Sequence, residues 1–134
     1  MREILFRGKR LNNGEWVEGF YNHLPCGRFG ADEHMIQTVL ENGKIGMLYD
    51  IDPSTVGQYT GLTDKNGKRI FELDIVKTDK FSEPNKQYII KYDLQFGAFI
   101  GQDRYNVYFV TFDGDSGEFE VIGNVTDNPE FLEK

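Results

Sequence analysis

His23-Leu24-Pro25-Cys26, followed by Asp32, Glu33 and His34, is the stretch whose residue types could do chemistry. Imidazole, thiolate and carboxylate all bind Zn²⁺, and a cysteine beside a histidine can form a nucleophile pair if an oxyanion is stabilised nearby. A metal-dependent enzyme using the His23, Cys26 and His34 region is therefore one reading. The spacing falls short of it. Structural zinc sites take four ligands, usually as paired Cys or His motifs, and here a single His-x-x-Cys is followed by one separate histidine. Cys26 lies among Pro25, Gly27 and Gly30, the composition of an irregular loop, and an isolated cysteine usually behaves as a small inert hydrophobe. On this reading no catalytic, cofactor-binding or metal-ligating residue is assigned, and no cofactor is expected.

Other candidates reduce to architecture. Glu72 and Asp74 stand two apart, where a strand would place both carboxylates on one face, but simple alternation puts acidic residues there as well. Thr63-Asp64-Lys65-Asn66-Gly67-Lys68 has oxygen ligands at alternate positions but no closing bidentate glutamate for calcium, and a tight hairpin accounts for it. No Gly-x-x-x-x-Gly-Lys-Ser/Thr phosphate loop, dinucleotide fingerprint or Gly-x-Ser-x-Gly elbow occurs. Arg2, Arg7, Lys9 and Arg10, interleaved with Leu5 and Phe6, form the one dense basic run. They could touch phosphates if they shared a face, although charges on a strand edge also block aggregation.

The whole chain opposes that use. Fifteen Lys and Arg against 22 Asp and Glu give a formal charge of -7 over 134 residues, which favours solubility and disfavours loose phosphate binding. Residues 1–55 hold 6 basic and 8 acidic side chains, and residues 56–134 hold 9 and 14, so neither half is a basic module. A single cysteine permits no internal disulfide. No apolar run approaches the roughly 20 residues of a membrane-spanning helix, and the N-terminus lacks the pattern of a secretory signal, so a cytoplasmic protein without membrane contact is expected.

The elements that must position these residues are strands. Seven tyrosines, eleven phenylalanines and one tryptophan are punctuated by 15 glycines, a composition of short strands and tight turns. Asn12-Asn13-Gly14, Asn42-Gly43, Asn66-Gly67 and the Asp113 to Gly117 stretch predict four hairpin turns. Strands are expected over 3–7, 16–22, 35–40, 44–50, 57–61, 69–78, 87–93, 98–102, 105–112 and 118–125. Within 69–78, Phe71, Leu73 and Ile75 should share a face opposite Glu72 and Asp74, with Phe71 and Ile75 in the core. In 118–125, Phe119 and Val121 face one way and Glu118 and Glu120 the other. The strand 105–112 is apolar on both faces, which requires either a second layer or another subunit and makes Tyr105, Tyr108 and Phe112 candidate interface residues. Only a short helical turn is expected, at Asn128-Pro129-Glu130. The fold class is all-β, with a strand spacing that suits small barrels or a sandwich, a small-barrel architecture being expected, and with a division into modules 1–55 and 56–134.

Val56-Gly-Gln-Tyr-Thr-Gly-Leu-Thr-Asp-Lys-Asn-Gly-Lys-Arg-Ile-Phe-Glu-Leu-Asp-Ile-Val76 resembles the central signature of the YopX-like family of phage and prophage proteins. Gly14-Glu-Trp-Val-Glu-Gly-Phe-Tyr21, Asp52-Pro-Ser-Thr55, Glu120-Val-Ile-Gly-Asn124 and Asn128-Pro129-Glu130 extend the likeness over most of the chain. The resemblance implies a β-rich fold with an SH3-like barrel in the second half, and it carries no catalytic residues onto this sequence. Leu73 stands where the family's Glu-Gly-Asp-Ile-Val has glycine. Leucine there is strained if the site needs a positive φ, and unremarkable if it lies in ordinary β space.

Together these readings lead to an expected phage or prophage accessory protein: a non-enzymatic, self-associating module that binds a macromolecule, with a host or phage protein as partner. The alternatives are a nucleic-acid-binding small barrel, an acidic decoy of a host nucleic-acid-binding protein, and the metal-dependent enzyme above.

Overall fold

The computed structural model describes residues 3–78, 86–103, 108–110 and 119–132. Its regular elements are eleven antiparallel strands and two short 3₁₀ turns, at Pro53–Thr55 and Pro129–Leu132. The chain divides into two compact units, Met1–Tyr59 and Thr60–Lys134.

In the first unit, β1 (Phe6–Lys9), β2 (Trp16–Leu24), β3 (Glu33–Val39) and β4 (Ile45–Asp50) follow one another as hairpins, and the start of β5 (Gly57–Thr63) pairs with β1. Gly14 and Gly43 take φ of 71° and 82° in the first and third hairpin turns, conformations that L side chains reach only at a cost. The sheet curls until the end of β4 returns to the end of β1. Arg10 bridges Ile51, Leu11 N donates to Asp50 O at 3.0 Å, and Asp52 N donates to Lys9 O at 2.9 Å. That curl brings the Ile51 and Ile36 methyls against Gly8, within 2.9 and 3.3 Å of where a Cβ would stand. Ile36 and Ile51 are fully buried there.

The second unit holds the rest of β5 beside β6 (Arg69–Phe71), and a five-stranded sheet in the order β10-β9-β8-β7-β11. Its strands are β7 (Asp74–Thr78), β8 (Gln87–Asp93), β9 (Ala98–Gln102), β10 (Tyr108–Val110) and β11 (Phe119–Asn124). Ile70, Val76, Tyr88, Ile90 and Phe119 form its core, with half-buried Val121 packed on them. Full burial of side chains of this size contributes about 1.5–3 kcal/mol each.

Three expectations change. Among the described residues the two antiparallel sheets form no closed barrel, β10 and β11 standing at opposite ends of the five-stranded order, and the SH3-like form that the resemblance implies is not confirmed. Alternation of side chains is the same in an open sheet and a closed one, so the pattern could not separate them. The single strand over 69–78 is two strands, β6 and β7, with a turn at Glu72 and Leu73 in which Leu73 has φ of 72°. This is the family's glycine position, so leucine here occupies left-handed backbone. The break also undoes the expected alternation. Phe71 and Ile75 are buried as expected, but so is Asp74, whose Oδ2 accepts a hydrogen bond from Phe71 N at 2.8 Å and closes the turn. In β11 a bulge between Val121 and Gly123 likewise interrupts the two-residue period.

Candidate functional site

The turns that dominate the family-like signature are structural. Asp64 is buried, and its carboxylate accepts from Asn66 N, Lys68 N and Val121 N, each at 2.9 Å. Burial pushes its carboxyl pKa up, but the backbone N–H groups of Val121, Lys68 and Asn66, helped by the Lys68 charge, prevail and hold it below the usual value. Lys65 N donates to Phe119 O at 2.9 Å, so the hairpin turn is fastened to β11 from two directions. Asp64 therefore serves the fold, as the hairpin reading of that segment anticipates.

The basic run is also structural where it is described. Arg7 is buried with its guanidinium 4.7 Å from the Trp16 ring centre, and the Lys9 ammonium lies 5.4 Å from the same ring. Arg10 stacks on Tyr49 at 4.1 Å and pairs with Glu15 at 3.7 Å. These contacts direct the cations onto aromatic faces. Arg2 lies outside the described residues. So do Tyr105 and Phe112; for Tyr108 the description extends to its backbone pairing with Gln102 in β10.

Chemistry-bearing side chains do converge at the far end of the β2–β3 hairpin. The register sets His23 directly opposite His34, so both side chains leave the same face. Their rings stack at 4.2 Å with 9° between planes. Asp32, one residue before β3, reaches both: its Oδ1 lies 2.6 Å from His23 Nε2 and its Oδ2 3.2 Å from His34 Nε2. The hydrogen bond from His23, with His34 adding to it, lowers the Asp32 carboxyl pKa against the opposing effect of desolvation. Tyr21, on the same face of β2, sets its hydroxyl 2.5 Å from His34 Nδ1. Desolvation, then the Asp32 charge, raises the Tyr21 hydroxyl pKa. His23, Asp32 and His34 each offer one ligand atom, all within 4.8 Å of one another.

A second network holds the intervening loop in place. Arg28 donates from Nη2 to Glu33 Oε1 at 2.8 Å and to Asp50 Oδ1 at 3.2 Å, tying the loop to β3 and β4. Its backbone N donates to Glu33 Oε2 at 2.5 Å. A Cβ at position 27 would stand 2.0 Å from that same oxygen, so Gly27 makes the arrangement possible. Cys26 is exposed in the loop and is not among the three converging ligand atoms. The expected histidines thus meet, and the residue that joins them is Asp32. Sequence reading counted Asp32 with Glu33 as a nearby carboxylate able to bind Zn²⁺ but did not single it out, because the β2–β3 register that faces His23 with His34 is not visible in spacing.

An apolar surface accompanies this site in the same unit. Register aligns Phe20, Gln37 and Leu48 across β2, β3 and β4, and Val39 with Ile45 further along. The register shifts between Gln37 and Val39, so Val39 and Ile45 form a separate pair beside the Phe20–Gln37–Leu48 row. Phe20 is 51% exposed, Leu48 43%, Val39 42% and Ile45 68%.

Among the described residues, no helix is long and apolar enough to cross a membrane. The fold is similar to the crystal structure of protein EF1440 from Enterococcus faecalis, with a TM-score of 0.59 and 24% identity, covering 98% of this chain and 99% of that one. No curated protein matches the chain. The YopX protein family matches residues 5–133, nearly the full length, with the signature turns at Asp64 and Leu73 inside the match. By that match the chain belongs to the YopX family.

Proposed function

We propose that this chain is a non-enzymatic binding module of phage or prophage origin, working in the cytoplasm, and that it self-associates through the β2–β3–β4 face. The observation that supports this is the exposure of Phe20 and Leu48, aligned across Gln37, and of the neighbouring pair Val39 and Ile45. Contiguous apolar surface of this kind marks interaction sites. The centres of such sites are depleted of charge. A second copy is the occupant that the chemistry fits: an apolar row is complementary to itself about a twofold axis, and Asp50, the carboxylate that shares the face of Leu48, is paired with Arg28, which moderates the repulsion between two chains of charge -7.

Sedimentation velocity across a wide concentration range tests the reading. The wild type is expected to shift from monomer toward dimer, and Ile45→Lys or Leu48→Lys to weaken that dimer about tenfold or more, about 1.4 kcal/mol. Lysine makes each chain less negative overall, so the expected loss runs against the change in net charge. A wild type that stays monomeric throughout rules out self-association.

A further inference from the structure

We infer that His23, His34 and Asp32 form a binding site for a divalent transition-metal ion, Zn²⁺ being the fitting choice, with one coordination position open to water or an incoming ligand. Two imidazoles and a carboxylate are the donor set of three-ligand zinc sites that keep their fourth position free. Here the three ligand atoms lie within 4.8 Å of one another, and none has to cross the sheet to reach the others. His23 and His34 are opposed by strand register, and Asp32 is carried to them by a loop that Arg28 and Glu33 fasten.

Tyr21 supplies the supporting shell. Ligating histidines characteristically use their second ring nitrogen to contact a polar group that fixes the tautomer. With the Tyr21 oxygen accepting from His34 Nδ1–H, the lone pair of His34 is on Nε2, the atom turned toward Asp32. In that tautomer Nε2 and Oδ2 are both lone-pair donors at 3.2 Å, and a cation between them satisfies both. With the Tyr21 proton donated to Nδ1 instead, Nε2 carries a proton and hydrogen-bonds Asp32 directly. The cluster thus has a metal-bridged and a proton-bridged form that differ in little more than proton positions.

The site differs from a His23, Cys26 and His34 arrangement because Asp32 replaces the thiol, and it does not depend on whether the chain self-associates. The test uses the full chain, purified without a histidine tag and stripped with chelator. Zn²⁺ is titrated in competition with a chromophoric chelator, and Co²⁺ is followed by its visible absorption. One equivalent is expected to bind. His23→Ala, His34→Ala and Asp32→Ala should each lower affinity at least tenfold while far-UV circular dichroism stays unchanged. Tyr21→Phe should weaken binding by about ten- to a hundredfold, the usual size of a supporting-shell effect, and Cys26→Ser should leave it intact. No uptake by the wild type, equal uptake by Asp32→Ala, or loss on Cys26→Ser would each overturn the assignment.

Discussion

At the scale of the residue, Leu73 is the clearest departure from what its type prefers. Its φ of 72° belongs to glycine-type backbone, and it is the only non-glycine residue so placed among those described. The backbone on either side holds it there: Leu73 N donates to Ile90 O at 2.7 Å, and Leu73 O accepts from Val125 N at 2.9 Å. Left-handed backbone costs an L-residue about 1–2 kcal/mol. A direct Leu73→Gly change would mix relief of that strain with loss of a half-buried side chain, so the informative comparison is between two truncations. Leu73→Gly should be more stable than Leu73→Ala by about 1 kcal/mol, reversing the ordinary advantage of alanine within strands. Urea denaturation with unchanged m-values would show it as a higher midpoint for the glycine variant. Equal midpoints would mean that the turn relaxes out of left-handed space.

At the scale of the element, the hairpin turn from Asp64 to Lys68 is fastened to strand β11 by the Asp64 carboxylate, by Lys65 N donating to Phe119 O and by the Lys65–Glu120 ion pair. Asp64→Ala leaves the N–H groups of Asn66, Lys68 and Val121 without their acceptor, at an expected cost of about 1–3 kcal/mol. The folded-state pKa of Asp64 is depressed, so its stabilisation is fully present above the unfolded value of about 3.9. It is lost as pH falls through the folded value. The stability gap between wild type and Asp64→Asn should accordingly be constant from neutrality to about pH 5 and narrow below about pH 4. A gap that widened on acidification would contradict that sign.

Strands of this kind were legible because Asn-Gly turns and alternating apolar residues act locally: the spans 87–93 and 98–102 agree with β8 and β9 residue for residue. What was not legible depends on partners distant in sequence. Asp74 reads as a solvent-facing residue by alternation, but a turn two residues earlier reverses the chain and buries it. Asp32 gains a role only from the pairing of His23 with His34. The stacking of Arg7 on Trp16 and of Arg10 on Tyr49 likewise depends on strand pairing that spacing does not show.

At the scale of the whole molecule, the charge of -7 separates the self-associating reading from a nucleic-acid-binding one by the sign of a salt effect. Two like-charged chains joining through an uncharged apolar row repel each other over a distance set by the Debye length, about 10 Å at 0.1 M salt and about 3 Å at 1 M. Raising the salt removes the repulsion and leaves the apolar contact, so dimerisation should strengthen. Phosphate binding would behave oppositely, because each displaced counterion makes association weaker as salt rises. Sedimentation velocity of the wild type at low and high salt, repeated with Leu48→Lys, provides the measurement. Tighter association at high salt in the wild type, together with weak association of the variant at both salts, is the outcome expected of an apolar interface between acidic chains. Association that weakened with salt would place the contact on charged groups and away from the Phe20 to Leu48 row.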